Sequence, residues 1–190
     1  LAAIHMTHYS LNWLLDRIEN GDKVDYLLFW GHTNNGNETT GKFLFSQWYP
    51  SPFTVDGVTY KTAEHWMMAE KARLFGDHGI LLQILQADTP KEAKALGRQV
   101  KGFIPAVWDE RCFQIVVAGN EHKFSQNDKF KDFLLSTGDK IIVEASPVDA
   151  IWGNGLPQDH ENAYKPKSWR GQNLLGFALM QVRDILRYNT

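Results

Sequence analysis

The chain has 190 residues, 43% hydrophobic, 13% aromatic and 22% charged, which excludes a disordered polymer and suits a domain with a sizeable core. Its formal net charge of −2 argues against a protein that grips duplex DNA mainly through broad phosphate contacts, while a local basic pocket for a phosphate stays open. A single cysteine, Cys112, excludes an intrachain disulfide and a cysteine metal cluster and fits a reducing, cytoplasmic setting.

No apolar run approaches the roughly 18 residues needed to span a bilayer, so no membrane partner is expected. The first residues lack the charged-then-apolar order of a secretory signal. Residues 1–5, Leu1-Ala-Ala-Ile-His5 before Met6, read as a cloning remnant outside the fold.

In chain order, Leu11, Leu14, Leu15 and Ile18 fall at helical spacing over Tyr9 to Glu19, and Asn20-Gly21 stops that helix. Tyr26 to Trp30 is a short apolar run expected as a buried strand, His32 to Gly41 a polar loop, and Phe43 to Phe45 a further strand. Two β-prone triplets, Phe53 to Val55 and Val58 to Tyr60, flank Asp56-Gly57. That pair predicts a hairpin, because a type I′ turn needs positive φ at both central positions.

Thr62 is placed to cap a helix from Ala63 to Phe75, followed by a short helix over Gly79 to Gln86. Thr89-Pro90-Lys91-Glu92 is a capping box with proline at the first helical position. Pro105 to Phe124 is expected as a long helix burying Val107, Cys112, Ile115, Val116 and Ala118, with Cys112 a small core residue. A helix over Asp128 to Ser136 and a buried strand over Lys140 to Ala145 follow. Ser146 to Gly171 is irregular, and Gln172 to Tyr188 is a terminal helix burying Leu175, Leu179, Val182 and Leu186. The fold class is therefore α+β, predominantly helical, with a small β-sheet. Residues 1–25 form an N-terminal extension and 26–190 the domain.

Long irregular segments in compact domains concentrate function. The stretch after the last strand carries Asp149, Trp152, Gly153 and Gly155. Glycines admit close backbone approach and indoles stack on planar rings, which suits a ligand pocket; an ordinary surface loop anchored by Trp152 and Trp169 is the other reading. Glu64 lies in a helical first turn, where the helix dipole favours a carboxylate. Its neighbours Trp66, Met67 and Met68 also admit a proton-transfer group with a raised pKa, while the pattern alone favours the plain helix-terminal acid. The seven histidines show no metal-ligand spacing, and no Walker, Gly-x-Ser-x-Gly or dinucleotide motif occurs. No metal or cofactor is expected.

Several segments taken in order resemble the NADAR (YbiA-like) family. They are Phe45-Ser-Gln-Trp-Tyr-Pro50, Tyr60-Lys-Thr-Ala-Glu64-His65-Trp66 with Lys71, Leu96-Gly97-Arg98, Lys123-Phe124-Ser-Gln126, Leu134 to Asp139, Glu144 to Gly155, and Trp169 to Gly176 with Leu179 to Arg183. The resemblance runs from about Tyr26 to Leu186. Gln47-Trp48 stands where the family has Asn-Phe, and Met67 to Glu70 replace a more polar run.

The resemblance implies hydrolysis of a ribose C1–N bond. The expected substrate is an ADP-ribosylated nucleobase, guanine in DNA, with the enzyme opposing a companion ADP-ribosyltransferase as an antitoxin. The alternatives are a phosphorylated ribosylamino intermediate of riboflavin synthesis and a non-catalytic module that binds ADP-ribose. By resemblance Glu64 and Asp149 are the catalytic carboxylates, with the general base left open between them. Trp108 and Trp152 line the pocket, Lys71 and Arg98 are candidates to contact phosphate or orient the substrate, with a solvated helix face the other reading of Arg98, and Phe45, Ser46, Trp48, Gly153, Gly155 and Asn173 complete the substrate contacts. For Asn173 the reason is its place at a helix start, where backbone N–H groups favour anions.

Overall fold

The computed structural model describes residues 8–34, 36 and 38–189; residues 1–5, expected as a remnant, lie outside the described residues. The chain forms two compact units. The first takes residues up to Trp30 together with those from Lys131 onward, and the second takes Gly31–Phe130. The expected α+β class, mainly helical, is what the chain adopts, with two separate two-stranded sheets.

In the first unit, α1 (Leu11–Glu19) starts at Ser10, whose side chain accepts the Trp13 N–H. Strand β1 (Tyr26–Phe29) then pairs in parallel with a strand from the far end of the chain, Ile141–Glu144, aligning Tyr26 with Ile141 and Phe29 with Glu144. Ile141, Ile142 and Val143 are all buried. The continuous apolar run thus marks a strand covered on both faces.

The C-terminal helix, Leu174–Tyr188, lies on that strand. Gly176 makes the approach possible, because a Cβ there would stand 2.0 Å from the Ile142 carbonyl oxygen. The expected face of Leu175, Leu179, Val182 and Leu186 is buried, and so are Phe177, Ala178 and Met180. The helix starts two residues later than expected because Asn173 takes a left-handed conformation (φ 53°).

In the second unit, β2 (Phe53–Val55) and β3 (Val58–Tyr60) form the expected hairpin, with φ of 49° at Asp56 and 78° at Gly57. The cross-strand pair Phe53 and Tyr60 stacks at 5.7 Å between ring centroids. Helix α2 (Ala63–Leu74) buries every residue from Ala63 to Ala69. Around it pack α3 (His78–Gln86), α4 (Pro90–Gly97) and α5 (Pro105–Ser125). Two glycines set the spacing. A Cβ on Gly97 would lie 2.1 Å from the Met68 sulfur, and one on Gly119 would lie 2.3 Å from the Trp66 ring.

In the capping box of α4, Thr89 accepts the Glu92 N–H, and Glu92 reaches back to the Asp88 N–H. Helix α6 (Asp128–Ser136) starts in the second unit and ends in the first. The strand after it is β4 (Ile141–Glu144) and the C-terminal helix is α7 (Leu174–Tyr188).

Two expectations are corrected. Residues expected as a strand over Phe43 to Phe45 form a 3-10 turn, Lys42–Phe45. Phe43, Leu44 and Phe45 are all buried, whereas a strand sends successive side chains to opposite faces. The buried face of α5 is also shifted. Cys112 and Val116 are inside as expected, but Val117, Gly119, Asn120, Lys123 and Phe124 join them, while Val107, Ile115 and Ala118 are only half-buried. Apolar spacing points away from Asn120 and Lys123, and only their partners below explain their burial.

Candidate active site

The expected site residues fall on both units. Glu64, Lys71, Arg98, Trp108, Phe45, Ser46 and Trp48 belong to the second; Asp149, Trp152, Gly153, Gly155 and Asn173 belong to the first.

On the second unit, Glu64 is 6% exposed in the first turn of α2. Its backbone N–H donates to the Gln47 carbonyl at 3.0 Å, so the Phe45–Pro50 segment is tied to this turn. Thr62 caps the helix, and its hydroxyl lies 2.8 Å from His65 Nδ1. His65 Nε2 lies 3.1 Å from the Ala87 carbonyl, which can only accept. The ring therefore carries its proton on Nε2 and accepts at Nδ1 from Thr62. Burial lowers the His65 pKa, with the Ala87 bond opposing. His65 is a neutral structural residue.

Lys71 lies seven residues along α2 from Glu64, about 10.5 Å along the axis and on nearly the same face. Its ammonium stands over the rings of Phe103 at 4.3 Å and Trp108 at 5.5 Å. Burial lowers its pKa, and the neighbouring Arg98 lowers it further. The structure thus brings Lys71, Arg98 and Trp108 together. It adds Phe103, which stands between helices and carries no periodic signal. Trp48 is half-buried, with Lys94 over its ring at 5.8 Å and the His32 ring 6.0 Å away.

Phe45 is fully buried against Phe124, with ring centroids 6.3 Å apart, and so supports the segment from beneath. The Ser46 hydroxyl accepts the Trp48 N–H at 3.2 Å.

On the first unit, Asp149 is half-buried on the loop after β4. Its Oδ1 accepts the N–H groups of Ile151 at 2.9 Å and Trp152 at 2.8 Å, an Asx turn that shapes the loop. Trp152 is half-buried.

The glycine rationale changes. A Cβ on Gly153 would meet the carbonyls of Asp149 and Glu144, each at 2.9 Å, and one on Gly155 (φ 75°) would meet Arg170. These glycines admit the protein's own chain rather than the backbone-to-ligand approach expected of them.

The anion-site rationale for Asn173 changes as well. The N–H groups of Asn173, Leu174 and Leu175 at the start of α7 donate to the carbonyls of Gly153, Ile151 and Trp152. Donors already satisfied by carbonyls offer little to an anion. The Asn173 side chain is fully buried, accepting the Glu144 N–H and donating to the Ile142 carbonyl. Its role is to fasten the root of the Asp149 loop to β4.

A cavity of about 450 Å³ lies at the opposite end of β1 and β4, lined by Arg17, Lys23, Asp25, Thr137 and Lys140, and holds none of the expected site residues. Among the described residues no group of three or more His, Cys, Asp or Glu side chains could hold a metal. No helix among them is long and apolar enough to cross a membrane.

The NADAR domain description matches residues 28–187. The chain is 43% identical over 164 residues to an N-glycosidase of Acanthamoeba polyphaga mimivirus, covering 84% of this chain and 95% of that one. It is 34% identical to an N-glycosidase of Nostoc punctiforme, covering 75% and 85%. It is 30% identical to the N-glycosidase YbiA of Escherichia coli, covering 75% and 80%. The NMR structure of E. coli YbiA matches the fold with a TM-score of 0.68 at 26% identity, over 88% of this chain and 89% of that one. Fold and relatives together define an enzyme, a hydrolase acting on N-glycosyl bonds. The chain belongs to the NADAR family.

Proposed function

We propose that this enzyme removes ADP-ribose from guanine bases in DNA, with Glu64 and Asp149 as its catalytic carboxylates, in the cytoplasm and opposite an ADP-ribosyltransferase. The observation that carries the reading is the layout of α2. A buried carboxylate and a cation coupled to Arg98 stand two turns apart on one helix face, with the Trp108 ring against the cation. A ribose bearing a diphosphate needs that pairing: a carboxylate toward the sugar carbon, and cations with an aromatic surface toward the phosphates and adenine.

In the reaction the C1–N bond breaks and its electron pair leaves with the nitrogen. Positive charge grows on the ribose, where a fixed carboxylate stabilises it. Water oxygen bonds to C1, one water proton passes to the carboxylate acting as base, and that proton is handed on to the departing nitrogen, which restores the carboxylate. Asp149 keeps Oδ2 for this work while Oδ1 holds the loop.

The test is incubation of the wild-type protein with an oligonucleotide carrying ADP-ribosyl guanine and with a phosphorylated ribosylamino pyrimidine, followed by mass detection of the released base. Release from the oligonucleotide, abolished in Glu64→Gln, supports the proposal. Release from the pyrimidine alone assigns the riboflavin-type substrate. Tight ADP-ribose binding without release from either assigns a binding module.

A further inference from the structure

Lys123 is 2% exposed on α5, yet no carboxylate among the described residues bonds to it. Its ammonium donates to the Leu44 carbonyl at 2.5 Å and the Ser46 carbonyl at 3.0 Å. One turn earlier, the Asn120 amide exchanges two hydrogen bonds of 3.0 Å with the Gln47 amide. Both grips therefore fall on one short stretch, Leu44 to Gln47. The Gln47 carbonyl accepts the Glu64 N–H.

A buried ammonium without a counter-charge is costly, and an apolar side chain of similar length would fill the same space without that cost. What the ammonium supplies is two charge-assisted bonds that fix a segment of otherwise irregular backbone.

We propose that Lys123 is a positioning residue: it holds the Leu44–Gln47 backbone in register and, through Gln47, sets the placement of Glu64. The inference rests on the reading of Glu64 as catalytic.

Burial lowers the Lys123 pKa from 10.5 to about 7, with no charged neighbour contributing. The titratable groups on the elements around it are Lys42 on the held segment, Asp109, Glu110, Arg111, Cys112, Glu121 and His122 on its own helix, and Glu64, His65, Glu70, Lys71 and Arg73 on α2. Two consequences run in opposite directions. Between pH 7 and 10.5 the unfolded chain binds the extra proton, so stability rises with pH. Over the lower part of the same range the ammonium becomes an amine, and its hold on the two carbonyls weakens. A residue with a merely structural role does not couple rising stability to falling turnover.

The experiment follows backbone amide shifts of Phe45, Ser46, Gln47 and Glu64 by NMR from pH 6 to 9, in the wild-type protein and in Lys123→Met. It adds kcat and KM over the same range on the ADP-ribosyl-guanine oligonucleotide. The expected wild-type result is a shared amide titration with a midpoint near 7, and a kcat that falls above it. In Lys123→Met the amide titration disappears, kcat drops about 10- to 100-fold, KM stays within about twofold, and the melting temperature moves little, because relief of the buried charge offsets the two carbonyls left without a donor.

Flat wild-type amides, or a Lys123→Met variant with the wild-type kcat and pH profile, overturn the proposal. The wild-type titration needs no variant to fold. A fully active Glu64→Gln sinks the reading of Glu64 instead, and the amide titration still reports whether Lys123 governs the segment.

Discussion

The Asn173 side-chain oxygen accepts the Glu144 N–H at 2.9 Å, while its amide nitrogen donates to the Ile142 carbonyl at 2.9 Å. One side chain thus takes the place of a next strand along β4, which among the described residues pairs with β1 alone. Asn173→Ala leaves a buried N–H and a buried C=O unmatched and is expected to cost about 2 to 4 kcal/mol, read from denaturant unfolding. Asn173→Gly keeps the left-handed backbone at φ 53° but loses both bonds. It is expected to be destabilised nearly as much, and a Gly variant as stable as wild type would mean that only backbone strain matters here.

At the second unit's core, Gly119 lies under the Trp66 ring. Gly119→Ala pushes the indole off its place, where its Nε1 donates to the Ile115 carbonyl at 2.8 Å. The expected loss is about 1 to 3 kcal/mol, with a changed near-ultraviolet signal from the displaced tryptophan. Gly36, with no atom nearer than 3.6 Å to an added Cβ, is the control: Gly36→Ala should leave the same signal and the melting temperature unmoved.

The neutral His65 makes part of the stability depend on pH. Its folded pKa lies below the ordinary 6.5 because burial opposes the charge. The unfolded state therefore binds more protons below that value, and stability is lost as pH falls from 6.5 through the lower folded pKa. Thermal melts from pH 7.5 to 5 should show this loss. In His65→Gln, which retains a donor and an acceptor, the part of the slope due to this residue should vanish.

Asp149 carries both a structural and a proposed chemical role, and two substitutions separate them. Asp149→Asn retains an oxygen to accept from Ile151 and Trp152, so its melting temperature should stay near wild type while turnover falls about 10²- to 10⁴-fold. Asp149→Ala removes the Asx turn as well, and should also increase amide exchange at Ile151 and Trp152. Unchanged turnover in a well-folded Asp149→Asn would remove this residue from the chemistry.

Much of the local structure was legible in the sequence. Asp56-Gly57 specified its hairpin because few other residue pairs adopt two positive φ angles in succession. Thr62 and Thr89 marked their helix starts because a side-chain oxygen must satisfy the first free N–H groups. The ordered segments from Phe45 to Arg183 carried the family resemblance. What stayed hidden is long-range. The 3-10 turn at Lys42–Phe45 follows from three successive side chains all finding core, which a period-two reading cannot anticipate. Phe103 joins Lys71 and Trp108 only because chain segments distant in sequence converge.

The sequence by itself determined where helices and turns begin and which carboxylates merit suspicion, because caps, turn residues and apolar periods act over a few positions. Only the tertiary structure decided what the polar residues do. It assigned the α7 amides to the loop carbonyls, Asn173 to β4, and Lys123 to the backbone beside Glu64's anchor. The physical reason is that a buried polar group must find a partner, and nothing in the local sequence says which distant backbone will supply it.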